Sequence, residues 1–190
     1  MGETEPDTAP VRSRRPTWDG VAALIAALIG VIALLVSGYT AYIQRQQVRA
    51  QVWPHLLVGN YDPEHAIGVL NKGVGPAIVR SVRVFIDGKP QRTWKTAFEA
   101  LGLPSRGLTI STISNNVISA GERVVALTVK DEASYGNFRD ELGRRFGIEI
   151  CYCSTLGECW TYSDRTGGER ASDRAIDHCP RPDGAEAFID

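Results

Sequence analysis

Histidine, net charge and catalytic motifs are scarce in this chain. Its 190 residues include three histidines, four cysteines and one methionine, and the formal net charge is −1. So small a net charge gives no general attraction to nucleic acid, and we expect no nucleic-acid partner. The histidines fall in a predicted stalk (His55), a turn (His65) and a polar tail (His178), and no nucleophile–base arrangement is evident. We therefore expect a non-enzymatic protein without a cofactor.

Charge is entirely missing from the 24 positions between Gly20 and Ile43. A helix of that length spans about 36 Å, which exceeds the roughly 30 Å of bilayer hydrocarbon. The apolar stretch is longer than that of a signal peptide and lacks a clear cleavage site. These features predict a single transmembrane helix whose partner is the lipid bilayer.

The rest of the chain divides by composition around this helix. We predict a polar tail over 1–17, the transmembrane helix over 18–43, a helical stalk over 44–54, a β-rich domain over 55–163 and a polar, partly disordered tail over 164–190. Three arginines precede the apolar stretch and two follow it. The positive-inside rule then favours a cytoplasmic N-terminus and an extracytoplasmic domain.

Small residues recur along the predicted membrane helix at steps of three and four, which keeps them near one face. Such a face allows close helix approach in lipid, so one interpretation is self-association or packing against a partner helix. The other is that alanine is simply common in membrane helices. The members of this face are Ala22, Ala26, Gly30, Ala33, Ser37 and Ala41.

Strand-like alternation replaces helical spacing after Pro54. We predict strands over 55–60, 66–70, 78–86, 108–113, 117–118, 123–129, 146–154 and 159–163. Two short helices are predicted, over 93–101 and 131–145. We expect the aromatic residues of the first helix, Trp94 and Phe98, to lie in the core. The predicted class is mainly β with one N-terminal transmembrane helix, in which an antiparallel β-sandwich-like domain carries two short helices.

A glycine-rich turn lies between two of these strands, with the sequence N-K-G-V-G-P-A over 71–77. It lacks the spacing of a phosphate-binding loop and leads into a strand, so we interpret it as structural. Gly73 and Gly75 are expected to adopt backbone angles closed to other residues, and Pro76 to fix the start of the next strand after Asn71.

The four cysteines allow three interpretations. Cys151 and Cys153 share a strand face, and a hairpin turn over 154–158 would place Cys153 opposite Cys159, close enough for a bond. Cys151 could then reach Cys179, although four cysteines permit three pairings and the sequence does not choose between them. Unpaired thiols are the second interpretation. A zinc site that includes His178 is the third, although C-x-C differs from the usual C-x₂-C spacing.

Together these features resemble uncharacterised single-pass bacterial membrane proteins. The resemblance rests on the helix, the N-x-G-x-G-P-A turn and the C-Y-C-S…C-W hairpin of residues 151–160. It implies a bacterial envelope location and carries no activity. Our leading hypothesis is a membrane-anchored, non-enzymatic domain that binds an envelope partner. The alternatives are a membrane-bound thiol/disulfide or metal-binding protein that uses the C-terminal cysteines, and a small accessory subunit of a membrane complex.

Overall fold

The computed structural model describes residues 18–164, 171–181, 184 and 187–189. The chain divides into two compact units, Met1–Gln47 and Val48–Asp190. The predicted N-terminal polar tail and its arginines lie outside the described residues.

The first unit contains most of one long helix, α1, which spans Trp18–Gln51. It has no buried residues, and large apolar side chains are exposed along its length. Among the described residues it is the helix that is long and apolar enough to cross a membrane, a property that an N-terminal signal sequence shares. The helix ends three residues before Pro54, as expected from the restriction that proline places on the preceding residue.

In the second unit the described residues form ten strands and two further helices. A short 3₁₀ turn, Asp62–Glu64, joins the first two strands. The elements are β1 (Leu56–Tyr61), β2 (Ala66–Asn71), β3 (Ala77–Ile86), β4 (Lys89–Gln91), α2 (Trp94–Leu101), β5 (Leu108–Ile110), β6 (Val117–Ile118), β7 (Arg123–Val129), α3 (Glu132–Leu142), β8 (Phe146–Cys153), β9 (Cys159–Asp164) and β10 (Ser172–Ile176).

The strands form two antiparallel sheets. One has four strands in the order β1-β2-β7-β5; the other has six, in the order β10-β9-β8-β3-β4, with β6 paired to β3. All strand pairs in both sheets are antiparallel. The predicted mainly-β class, with an N-terminal apolar helix and two short helices in the domain, is confirmed.

One apolar core joins the strands and both short helices. Thr93 caps α2 through a reciprocal pair of hydrogen bonds with Thr96, and this helix buries Trp94 and Phe98 in the core. Phe98 lies 4.6 Å from Phe138 of α3, measured between ring centroids. The expected core position of Trp94 and Phe98 is confirmed.

A β-bulge explains an irregular stretch in the sequence of β3. The pairing of β3 with β8 shifts register between Val79 and Ser81. The extra residue, Arg80, is exposed, whereas Val79 and Val82 on either side are buried. An added residue in one strand interrupts the two-residue alternation, and this is why Arg80 disturbs the hydrophobic pattern.

Tyrosine hydroxyls protect the outer edge of β1. The amide of Leu56, which points away from β2, donates to the hydroxyl of Tyr152 at 3.5 Å. Val58, two residues later, makes a backbone hydrogen bond to the hydroxyl of Tyr162. Both tyrosines lie in the six-stranded sheet, so their hydroxyls join the edge of one sheet to the other and satisfy amides that an edge strand leaves unpaired.

The sequence prediction missed two structural contributions from 164–190. Ser172–Ile176 forms β10 along β9, and Phe188 is buried and packs edge-on against Trp94 with ring centroids 5.2 Å apart. The β-rich domain therefore extends beyond the predicted boundary at 163. Polar composition misled the prediction because an edge strand can be exposed along most of its length and still pair its backbone.

Candidate functional site

The glycine-rich turn is organised by one buried asparagine. Asn71 is fully buried, and its side-chain amide nitrogen donates to the carbonyls of Gly75 at 2.8 Å and Ile118 at 3.0 Å. Its Oδ1 accepts from the amides of Gly73 at 2.9 Å and His55 at 3.2 Å. One side chain thus ties together the turn, β6 and the segment that follows α1.

The reason for glycine at 73 and 75 differs from the sequence prediction. Neither residue is among those with positive φ, so a backbone angle closed to other residues is not what requires glycine. Instead, a Cβ at Gly73 would lie 2.4 Å from the carbonyl oxygen of Trp53, and one at Gly75 would lie 2.2 Å from that of Val52. Glycine is needed because another stretch of backbone passes too close for a side chain.

The cysteines form two disulfides. The register of β8 against β9 places Cys153 directly opposite Cys159, and these two are bonded. Cys151 is bonded to Cys179. Ile150 and Tyr152 point into the core, so the alternating cysteines of β8 lie on the opposite face of the sheet. The described residues include no free cysteine.

The sulfurs of both bonds gather at one end of the sheet. β10 ends beside Cys159, and the chain that follows brings Cys179 to within 3.8 Å of Cys153, measured between their Sγ atoms. The sulfurs of Cys153, Cys159 and Cys179 all lie within 4.8 Å of one another. A metal needs thiolates as ligands, so these bonded sulfurs would have to be reduced before they could hold zinc.

An open cavity of about 470 Å³ adjoins these sulfurs. Three of its lining side chains carry or can gain a positive charge. Arg80 is placed there by the bulge of β3, and His178 and Arg181 come from the segment around Cys179. Within the part of the chain that the structure describes, no carboxylate lines the cavity or forms an ion pair with either arginine. The remaining lining residues are Asn115, Cys153, Cys159, Cys179 and Pro180.

Sequence reasoning did not identify this cavity. Arg80 breaks the alternation of apolar residues in β3, whereas Arg181 has no comparable mark in the sequence. The break was the available signal, because a cationic residue in an otherwise well-patterned strand marks a place where the strand turns a side chain outward.

A second polar cluster joins the segment after α1 to β10. Asp173 accepts a hydrogen bond from the Tyr152 hydroxyl at 3.0 Å, and its other carboxylate oxygen lies 3.0 Å from Nδ1 of His55, which stacks on Trp53. Burial raises the pKa of Asp173, and burial, followed by the nearby Asp173 charge, raises the pKa of Tyr152. Sequence reasoning did not identify this cluster, because Asp173 lies in the predicted polar tail.

The turn that holds His65 is occupied by protein contacts. Asp62 accepts from the hydroxyl of Tyr135 at 2.6 Å and from Arg139 at 3.1 Å, and His65 stacks on Tyr135. The hydrogen bond from Tyr135, followed by that from Arg139, lowers the pKa of Asp62. Burial and the same carboxylate raise the pKa of Tyr135 to about 12.

The small residues of α1 remain a predicted packing face. All six are exposed, and a Cβ at Gly30 would meet nothing within 4 Å.

Comparison of the chain with family models, with curated proteins and with solved structures found no match.

Proposed function

We propose that this protein is a membrane-anchored, non-enzymatic binding domain of the bacterial envelope, and that its cavity receives an acidic segment of a protein partner. In this proposal α1 crosses the membrane, the N-terminus is cytoplasmic and the β domain is extracytoplasmic. Two disulfides support the extracytoplasmic location, because such bonds persist in oxidising compartments.

The observation that carries the binding proposal is the charge of the cavity. Arg80 and Arg181 line it, and none of the described carboxylates lies beside them, so two guanidinium groups face the space that an incoming anion would enter. Arginine donates several hydrogen bonds in a planar arrangement that suits carboxylates. The two disulfides cross-link the walls of the cavity, so little ordering is needed when a ligand binds.

A labelled peptide tests this binding directly. We expect the full-length protein in detergent to bind a fluorescein-labelled hexaglutamate peptide, measured by fluorescence anisotropy at low salt. Arg80→Gln should weaken binding several-fold. Arg106→Gln is the matched control, because this exposed arginine lies outside the cavity. Equal binding by all three proteins, or equal binding of a hexalysine peptide, would contradict the proposal.

Location is tested separately in intact cells. A reporter enzyme that is active only outside the cytoplasm is fused after the C-terminus, and a cytoplasm-specific reporter is fused in parallel. We expect activity from the first fusion and from membrane fractions. Activity of the second fusion would contradict the assigned orientation, and a soluble mature protein without residues 18–43 would contradict the anchor.

A further inference from the structure

Two disulfides lie in van der Waals contact at the cavity wall. Cys153 Sγ lies 3.8 Å from Cys179 Sγ although the two atoms belong to different bonds. Exchange between thiols and disulfides proceeds by attack of a thiolate on a disulfide sulfur. We propose that the four cysteines are a thiol–disulfide exchange unit, in which Cys153 transfers its bond from Cys159 to Cys179 when an external thiol enters the cavity.

The first step opens the hairpin bond. A thiolate, RS⁻, attacks Sγ of Cys159, the bond between Cys153 and Cys159 breaks, and its electron pair leaves on Cys153. The products are a mixed disulfide between R and Cys159 and a thiolate at Cys153. No electron is gained or lost overall, because one disulfide is exchanged for another.

The second step uses the short distance between the two bonds. The Cys153 thiolate attacks Sγ of Cys179, the bond between Cys151 and Cys179 breaks, and Cys151 receives the electron pair. The new bond joins Cys153 to Cys179. Cys151, whose sulfur accepts a hydrogen bond from the Thr161 hydroxyl at 3.8 Å, then takes a proton from solvent or remains a thiolate.

The surroundings favour the anionic sulfur that both steps require. Cys153, Cys159 and Cys179 line the same cavity as Arg80, Arg181 and His178. Positive side chains near a cysteine lower its thiol pKa and so raise the fraction of thiolate. The cavity volume of about 470 Å³ admits a small thiol or the tip of a protein loop that bears a cysteine. The inference rests on the sulfur positions and stands independently of the acidic partner proposed above.

Substoichiometric thiol tests the sequence of steps in the unaltered protein. Full-length protein in detergent is treated at pH 8 with half an equivalent of glutathione, quenched with acid, alkylated and mapped by mass spectrometry without reduction. We expect glutathione on Cys159, a bond between Cys153 and Cys179, and alkylation of Cys151. Maps that show only the two original bonds, or glutathione on Cys159 with alkylated Cys153, would overturn the proposal.

Two variants approach the same product from opposite sides. Cys159→Ser leaves Cys153 free to attack the remaining bond, and Cys151→Ser leaves Cys179 free to do so. After equilibration at pH 8, we expect both to contain the bond between Cys153 and Cys179, with Cys151 free in the first variant and Cys159 free in the second. Absence of that bond from both would overturn the proposal, and if either fails to fold, the experiment on the unaltered protein decides.

The charge of the attacking thiol tests the cavity as its entrance. Glutathione is anionic and cysteamine is cationic, so the arginines should make the rate of adduct formation at Cys159, corrected for the thiolate fraction of each reagent, several-fold higher for glutathione at low salt. This ratio should fall towards one in 1 M salt. A ratio near one at low salt would overturn the assignment of the cavity as the entrance.

Discussion

Replacing Asn71 by alanine tests how the glycine-rich turn is held. The asparagine side chain is fully buried and makes four hydrogen bonds to backbone groups. Asn71→Ala removes all four together. It leaves two amide donors, at His55 and Gly73, and two carbonyl acceptors, at Gly75 and Ile118, without these partners.

The expected loss follows from the cost of each orphaned group. A buried polar group that loses its partner costs about 1–3 kcal/mol. The space vacated by the amide can admit water to some of the four, which lowers the sum. We expect Asn71→Ala to reduce the free energy of unfolding by about 3–5 kcal/mol, a large fraction of the stability of an ordinary domain.

Chemical denaturation of the full-length protein in detergent, with its disulfides intact, measures this loss. Near-ultraviolet circular dichroism reports on the packing of aromatic side chains such as buried Trp94. The helical backbone of α1 does not contribute to this signal. Asn60→Ala is the matched control, because Asn60 is exposed on β1, and we expect a change within about 0.5 kcal/mol. A loss below about 1 kcal/mol in Asn71→Ala would refute the assignment of Asn71 as the centre of the turn.

Three other changes test separate contacts. Gly75→Ala places a Cβ 2.2 Å from a backbone oxygen, so we expect denaturation to show that the free energy of unfolding falls by more than about 2 kcal/mol. The control Gly136→Ala, in open space on α3, should raise the free energy of unfolding by about 0.5–1 kcal/mol. Equal effects of the two substitutions would contradict the close approach. Hydrogen bonds from a tyrosine and an arginine lower the pKa of Asp62, so this carboxylate stabilises the folded state above its unfolded pKa of about 3.9, and the stabilisation is lost as the pH falls through the lower folded pKa. Asp62→Asn should therefore make the free energy of unfolding less dependent on pH in acid. An unchanged pH profile would contradict this. Removing both cysteines of the 151–179 bond should cost about 3.5 kcal/mol by chain entropy, against about 2.3 kcal/mol for the 153–159 bond, and the reverse order in denaturation would contradict the entropic account.

Local pattern was sufficient for much of the fold. The predicted strand over 123–129 coincides with β7, and the predicted strand over 78–86 differs from β3 by one residue. Helix α2 ends at residue 101, where the predicted helix also ends, and Gly102 follows it with a left-handed φ of 75°. These elements were predictable because alternation and helical spacing reflect which face each residue buries.

Contacts between distant segments were not predictable in the same way. Gly75 looked like a residue chosen for its own backbone angles, but its requirement comes from Val52, which lies 23 positions earlier. The pairing of β10 with β9 was missed because exposed strand residues carry no hydrophobic pattern. Both features depend on contacts between segments that are distant in the sequence, and neither produces a periodic pattern of hydrophobic residues.

The cysteine hairpin lies between these two cases. The spacing of Cys153 and Cys159 around a five-residue turn indicated that they could face each other, and the strands place them so. The distance that gives the hairpin its proposed chemistry, between Cys153 and Cys179, depends on where β10 ends. The cysteines and their spacing were therefore visible in the sequence. The contact between the two disulfides, which would let one exchange with the other, forms only when the exposed strand β10 pairs with the edge of the sheet.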